Sequence, residues 1–381
     1  MTDPIRSYLR KKALSGPWRL NAPFPKTYPR IIVIPAYSEY SLLPGVLESI
    51  RLQSEDFIRD TAVIIVVNRG VSAPPEVCEN NADTLKYLRS ARFPFDLGIV
   101  DASTNNLVLP DRIAGVGVAR KLGLDMALSY STPDTLLFST DADCTLSKNY
   151  LKSLSEDRRT KRWQAGVVGF AHRRMGDPVV DKGITAFEEF LITTAEKLKD
   201  AGSIYGYPAL GSTMVTTAGA YVAVGGMPRK KAAEDFYFLQ ELAKYCGVRW
   251  IRDILVHPSA RPENRVYLGT GFRMSQAQSG MDMSSLHYSE IAFTILKAWL
   301  ALGKSARAKR LDPVLEESRR IHPLMPSILK AEKIESVWEG LQRSSPSDTH
   351  FSMQFNRWFD GLKTHRLLKK LSGDSQNNLS K

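Results

Sequence analysis

Short apolar runs punctuate the first two thirds of the chain, and each gives way to polar, acidic or glycine residues. Residues 30–35, 62–67, 96–101 and 165–170, and a run from Leu136 into Asp141, read as buried strands, the first stopped by Pro35. Between them lie stretches with helical spacing at 41–52, 81–90, about 114–129 and 183–199. In the last of these, the face of Ala186, Phe190, Leu191 and Thr194 reads as packing. Strands alternating with helices predict an α/β domain with an open, mostly parallel sheet flanked by helices, whose ligands sit at the strand C-termini.

Beyond about residue 280 the pattern turns wholly helical, over 286–302, 324–341 and 351–371. The predicted organisation is therefore an N-terminal extension over 1–29 with Trp18 as its anchor, a sheet domain over 30–280, a helical region over 281–371 and a frayed, disordered tail over 372–381. Hydrophobic residues make up 43% of the chain, enough for a real core and against general disorder.

Charge and cysteine usage narrow the setting. Three cysteines, Cys78, Cys144 and Cys246, with no CxxC pair argue against a disulfide scaffold and a structural zinc site, which favours a cytoplasmic home. No run reaches the 18 or so apolar residues of a membrane span, and the first residues do not resemble a signal peptide. A soluble protein is expected, or one held peripherally at the inner face of a membrane. The net charge of +12 calls for anionic partners. No helix-turn-helix, zinc-finger or RNP pattern accompanies it, so nucleic acid is not expected. The clusters at 158–162, 229–231 and 369–370 read as solvated surface, with a membrane-facing patch as the second reading.

The chemistry concentrates where the strands end. Leu136-Leu-Phe-Ser-Thr-Asp141-Ala-Asp143 runs a buried strand into two carboxylates two residues apart, which an extended tip would turn to one side. Hard oxygen ligands of this kind suit Mg²⁺ or Mn²⁺ together with substrate phosphates. After the first strand, Pro35-Ala-Tyr37-Ser-Glu39 offers a turn that can cradle a nucleoside with Glu39 on ribose hydroxyls, or an ordinary capped loop. Gly115-Val-Gly117-Val-Ala-Arg120 opens a helix that could contact phosphate or base through Arg120, or simply present a surface arginine. Gly225-Gly226 permits a tight turn before Glu234-Asp235, where Asp235 is either a general base or a helix-start acid favoured by the dipole.

In their order and spacing, Val33-Ile-Pro-Ala-Tyr-Ser-Glu39, Val66-Val-Asn68, Gly115 to Arg120, Asp141-Ala-Asp143 and Gly225-Gly226 with Glu234-Asp235 resemble a family 2 glycosyltransferase of GT-A fold over about residues 30–260. The resemblance implies a nucleotide-diphospho-sugar donor, a divalent metal and inversion at the anomeric carbon. It makes Asp235 the general base, Asp143 the main metal ligand and Asp141 a ribose or metal-shell contact. Pro35, Tyr37, Glu39 and Arg120 fall on the donor side.

Such enzymes often read uracil with an aspartate after the second strand, where this chain has Asn68. The Gln-x-x-Arg-Trp signature of processive synthases is absent, so non-processive transfer to a hydroxyl acceptor is expected. His257 offers a late metal ligand or a packed strand-end histidine, and Arg261 and Arg265 a basic loop over the diphosphate. A sugar-phosphate nucleotidyltransferase of similar fold ranks lower, because no glycine-rich loop follows the first strand. A catalytically silent nucleotide-sugar-binding protein is the remaining alternative.

Overall fold

A computed structural model of the 381-residue chain describes residues 3–265 and 268–378, the last five of these by backbone alone. Two compact units form: residues 1–188 with 209–283, and residues 189–208 with 284–381. The change of pattern near 280 thus falls beside a unit boundary, but the helical unit also takes in 189–208.

The first unit is built on eight strands: β1 (Arg30–Ala36), β2 (Thr61–Asn68), β3 (Asp96–Ala102), β4 (Leu136–Ser139), β5 (Thr145–Leu146), β6 (Ala165–Phe170), β7 (Met214–Thr217) and β8 (Arg249–His257). They form one open sheet in the order β3-β2-β1-β4-β7-β6-β8-β5. The apolar runs are buried on both faces, as strands covered by helices on both sides must be.

The sheet is mostly parallel, as expected, with two strands reversed. β1 pairs in parallel with β2 and β4, and β2 with β3, but β7 runs antiparallel to both β4 and β6. β6 and β8 are again parallel, and β5 turns back against β8. Two reversals restore direction, so β1, β2, β3, β4, β6 and β8 all end on the same edge of the sheet. That edge carries every candidate residue named so far that follows a strand.

Pro35 does not stop β1, which continues to Ala36. Val33 C=O accepts from Thr140 N at 3.2 Å, so Val33 and, by alternation, Pro35 face β4. Pairing with β4 ends at Val33–Ser139, and the missing N–H of Pro35 therefore costs no ladder bond.

The N-terminal extension is strapped to this unit rather than loose. Helix Pro4–Lys11 is capped by Asp3, Trp18 is buried with Nε1 donating to Leu107 O at 2.6 Å, and Leu20 bridges Val100.

The second unit is helical and aromatic. Trp299, Trp338, Phe351, Phe355 and Phe359 are almost fully buried in its core, and a Cβ at Gly303 would collide with the Phe355 ring. Its helices are shorter than the periodicity suggested. The 324–341 stretch divides into Met325–Ala331 and Ile334–Arg343 around Lys333, which takes a left-handed φ of 63°. The 351–371 stretch divides into Asp348–Trp358 and Gly361–Asn378, and a further helix, Leu311–Ile321, was not anticipated. The expected tail at 372–381 falls partly in the last of these helices, and its final three residues lie outside the described residues. Among the described residues, no helix is long and apolar enough to cross a membrane.

Candidate active site

The tip of β4 is a turn, not an extended end: Cys144 N donates to Asp141 O at 3.1 Å. The turn nonetheless gathers the acids, and ligand atoms of Asp141, Asp143 and Cys144 all lie within 4.8 Å of one another. Burial raises the Cys144 thiol well above its ordinary range, with Asp143 and Asp141 adding to the shift, so it stays a neutral, soft group. The two carboxylates are then the usable donors. Hard oxygen ligands at a strand end fit a cation such as Mg²⁺ or Mn²⁺ rather than zinc.

Asp143 is pushed up to about 7 by burial and by the charges of Asp141 and Glu39, against the opposing pull of Arg261 and Arg265. A carboxylate so placed is short of positive charge. Close by, Ser139 Oγ, Thr140 Oγ1 and Arg120 Nε are buried without a hydrogen-bond partner. Such orphaned polar atoms are uncommon in native interiors.

Arg120 is where expectation and structure differ most. It is 4% exposed, and its guanidinium bridges Asp141 and Glu234 through its two terminal nitrogens. Burial works against its charge, but Asp141, Glu234 and Asp235 together hold its pKa above the ordinary arginine value. It is a buried tie between two acidic elements, not a surface arginine. The glycines before it have the same purpose. A Cβ at Gly117 would press on Lys230 O and the Glu234 side chain, so glycine lets the 230–234 segment lie against the helix Val116–Ala127. That helix start is covered by protein rather than open to a phosphate. Gly211, just before β7, likewise leaves room for the Arg120 guanidinium.

Glu234 and Asp235 open helix Glu234–Cys246 after Ala233, which has a left-handed φ of 59°. They differ in setting. Glu234 is 2% exposed and is raised to about 7 by burial and by Asp235 and Asp141, with Arg120 opposing. Asp235 is half-buried and accepts from Phe236 N at 2.7 Å.

Across the same sheet edge, Glu39 is buried and receives Arg261 at 2.9 Å and Arg265 at 2.8 Å. Arg265 also donates to Tyr37 O at 2.7 Å and sits near the Tyr37 ring, and Glu263 faces both arginines. The nucleoside and diphosphate candidates are thus in contact with each other, folded into one ion-pair network. Asn68 is buried at the end of β2, where Nδ2 donates to Ala36 O at 3.1 Å and its backbone oxygen accepts from Asn81 Nδ2. Asn81 in turn accepts from Ser38 N, which shapes the loop after β1 around its left-handed Ser38. His257 ends β8 with Nε2 3.0 Å from Ser147 Oγ, outside the group formed by Asp141, Asp143 and Cys144.

Two contributors escaped the sequence reading. Arg173 Nη2 donates to the backbone oxygen of Asp143 at 2.5 Å, and its neighbour His172 is held between Glu188 at 2.7 Å and Thr270 at 3.3 Å. Their position just past β6, on the edge where ligands gather, was the available signal.

No protein-family model matches the sequence, and no curated protein matches it. Solved structures of similar shape include S. aureus TarS 1–349 in complex with UDP-GlcNAc, 13% identical with a TM-score of 0.45 over 86% of this chain and 89% of that one. Another is the mannosyltransferase PcManGT from Pyrobaculum calidifontis in complex with GDP-Man and Mn²⁺, 17% identical with a TM-score of 0.40 over 93% of this chain and 94% of that one. Both are likenesses of general shape, and the reading of the site rests on this chain's own residues.

Proposed function

We propose that this chain is a metal-dependent, inverting, non-processive glycosyltransferase of the family 2 type, moving a sugar from a nucleotide-diphospho-sugar to an acceptor hydroxyl. The observation that carries the proposal is the Arg120 bridge, which ties the Asp141–Asp143 turn to the acid pair at 234–235 on one edge of the sheet. A donor-binding acid site and a candidate base are thereby held in fixed relation, which is what displacement at a sugar carbon needs.

Asp143, with Asp141, would hold the divalent ion. When bound, the ion neutralises charge gathering on the departing diphosphate. Asp235 accepts the proton of the acceptor hydroxyl as that oxygen attacks the anomeric carbon from the face opposite the diphosphate. Asp235 suits the task better than Glu234, whose carboxylate is buried against Arg120. Arg261 and Arg265, released from Glu39, supply guanidinium forks for phosphate oxygens, and freed Glu39 becomes an acceptor for ribose hydroxyls.

The test is calorimetric. Titration of a nucleoside diphosphate in the presence of Mn²⁺ is expected to show binding that Asp143→Ala abolishes while circular dichroism stays unchanged. Equal, metal-independent binding by the variant would overturn the assignment of the two aspartates.

A further inference from the structure

A cavity of about 570 Å³ opens between helix Pro4–Lys11, the Gly225-Gly226 turn and the first turns of helix Glu234–Cys246. That is an ordinary size for a small-molecule site. It shares no lining residue with Asp141, Asp143, Glu234 or Asp235. Lys11, Lys12, Arg229 and Lys230 lie on its walls, and among the described residues none of the four is ion-paired with an acid. Lys230 rests 4.0 Å above the Tyr237 ring. The one carboxylate of the lining, Glu241, faces Lys244 at 2.8 Å, and Lys121 is neutralised by Asp125 at 3.0 Å.

The four cations are exposed, and the two segments that carry them are held together by buried contacts. Tyr8, on the same helix as Lys11, donates to Asp125 at 2.9 Å and packs where a Cβ at Gly226 would stand. The left-handed φ values of Gly225 and Gly226, 86° and 76°, shape the turn that carries Arg229 and Lys230 to the opposite wall. The dipole at the C-terminal end of helix Pro4–Lys11 offsets part of the charge of Lys11 and Lys12. The crowding is felt at Lys121, whose pKa is lowered first by burial and further by Arg229 and Lys12.

We propose that this cavity binds a phosphate-bearing ligand, gripped by Lys12 and Arg229 with Lys11 and Lys230 flanking it. The site is separate from the acidic cluster and needs no divalent ion. Its phosphate belongs either to a free small molecule or to a lipid headgroup.

The test uses the full chain at low ionic strength in EDTA. Inorganic pyrophosphate is titrated calorimetrically, and sedimentation is followed with phosphatidylcholine vesicles with and without phosphatidylglycerol. Saturable pyrophosphate binding is expected, retained in Asp143→Ala and weakened at least about tenfold in K12E/R229E, as loss of two charge-assisted contacts requires. K12Q/R229Q should weaken it in the same direction, whereas K369E/K370E, with the same change of net charge on two exposed lysines, should not. Binding only to phosphatidylglycerol vesicles, with the same pattern across variants, assigns the phosphate to a lipid headgroup. Failure of both probes to bind, equal weakening by both charge-reversed pairs, or loss in Asp143→Ala overturns the proposal. Metal-dependent nucleotide binding, measured separately with Mn²⁺, reports on the acidic site alone.

Discussion

Arg120 and Lys121 are neighbours on one helix, both are buried cations, and they sit in opposite kinds of cluster. Lys121 belongs to a closed set. Asp125 accepts from Tyr8, Tyr221 and Leu14 N as well as from the lysine, so one carboxylate is satisfied several times over. Arg120 belongs to an open one. It faces Asp141 and Glu234 with Asp235 close behind, and its own Nε is left without a protein partner. The first cluster fastens the N-terminal helix to the body and has no charge to spare. The second keeps a surplus of acid at the edge where six of the strands end. Surplus charge at a strand edge marks chemistry, and balanced charge marks construction.

The widest separation between the two clusters should appear in stability. Arg120→Met leaves Glu234 and Asp141 without their cation, and removing one partner from a buried ion pair costs about 3–5 kcal/mol. Lys121→Met leaves Asp125 with three remaining donors, and a loss nearer ~1–2 kcal/mol is expected. Urea unfolding of the two variants measures the difference. Equal losses would show that the Arg120 cluster is as self-contained as its neighbour.

Next in size is a catalytic effect with no matching structural one. Asp235→Asn should lower turnover at least about a hundredfold while donor and metal affinity hold, because a proton acceptor acts in the transition state. Were Asp235 only a helix-start acid, asparagine would serve nearly as well and transfer would continue at close to the normal rate. In that case Glu234 becomes the next candidate.

The smallest effect concerns the contact between glycine and acid. Gly117→Ala places a methyl group 2.9 Å from Glu234 Cβ. Overpacking of this kind costs about 1–3 kcal/mol and should shift the 230–234 segment. A fall in kcat larger than any rise in donor KM is expected in steady-state kinetics. A change in KM alone would place the segment on the donor side of the site.

Much of the sheet was legible because burial writes itself into sequence locally. The runs that became β1, β2, β3, β4 and β6 are apolar on both faces and end in polar residues, and their limits were read to within a residue or two. β5, β7 and β8 were not, for identifiable reasons. β5 has two residues, Met214-Val-Thr-Thr217 has no alternation to separate it from a loop, and β8 mixes Arg249, Arg252 and Asp253 into its run. In the helical unit, periodicity gave the class of element but not the breaks, since Lys333 turns the chain without glycine or proline.

By itself, the sequence determined the strands β1, β2, β3, β4 and β6, their alternation with helices and the residue types that follow them, including Asp141 and Asp143. Each of these depends on neighbours a few positions away. Tertiary structure alone decided partnership. It turned Arg120 inward to join acids 21 and 114 residues distant and paired Glu39 with Arg261 and Arg265 more than 220 positions later. It set His257 beside Ser147, outside the group formed by Asp141, Asp143 and Cys144. Whether an arginine meets a phosphate or a buried carboxylate depends on which chain segments the fold brings to it, and no local pattern records that.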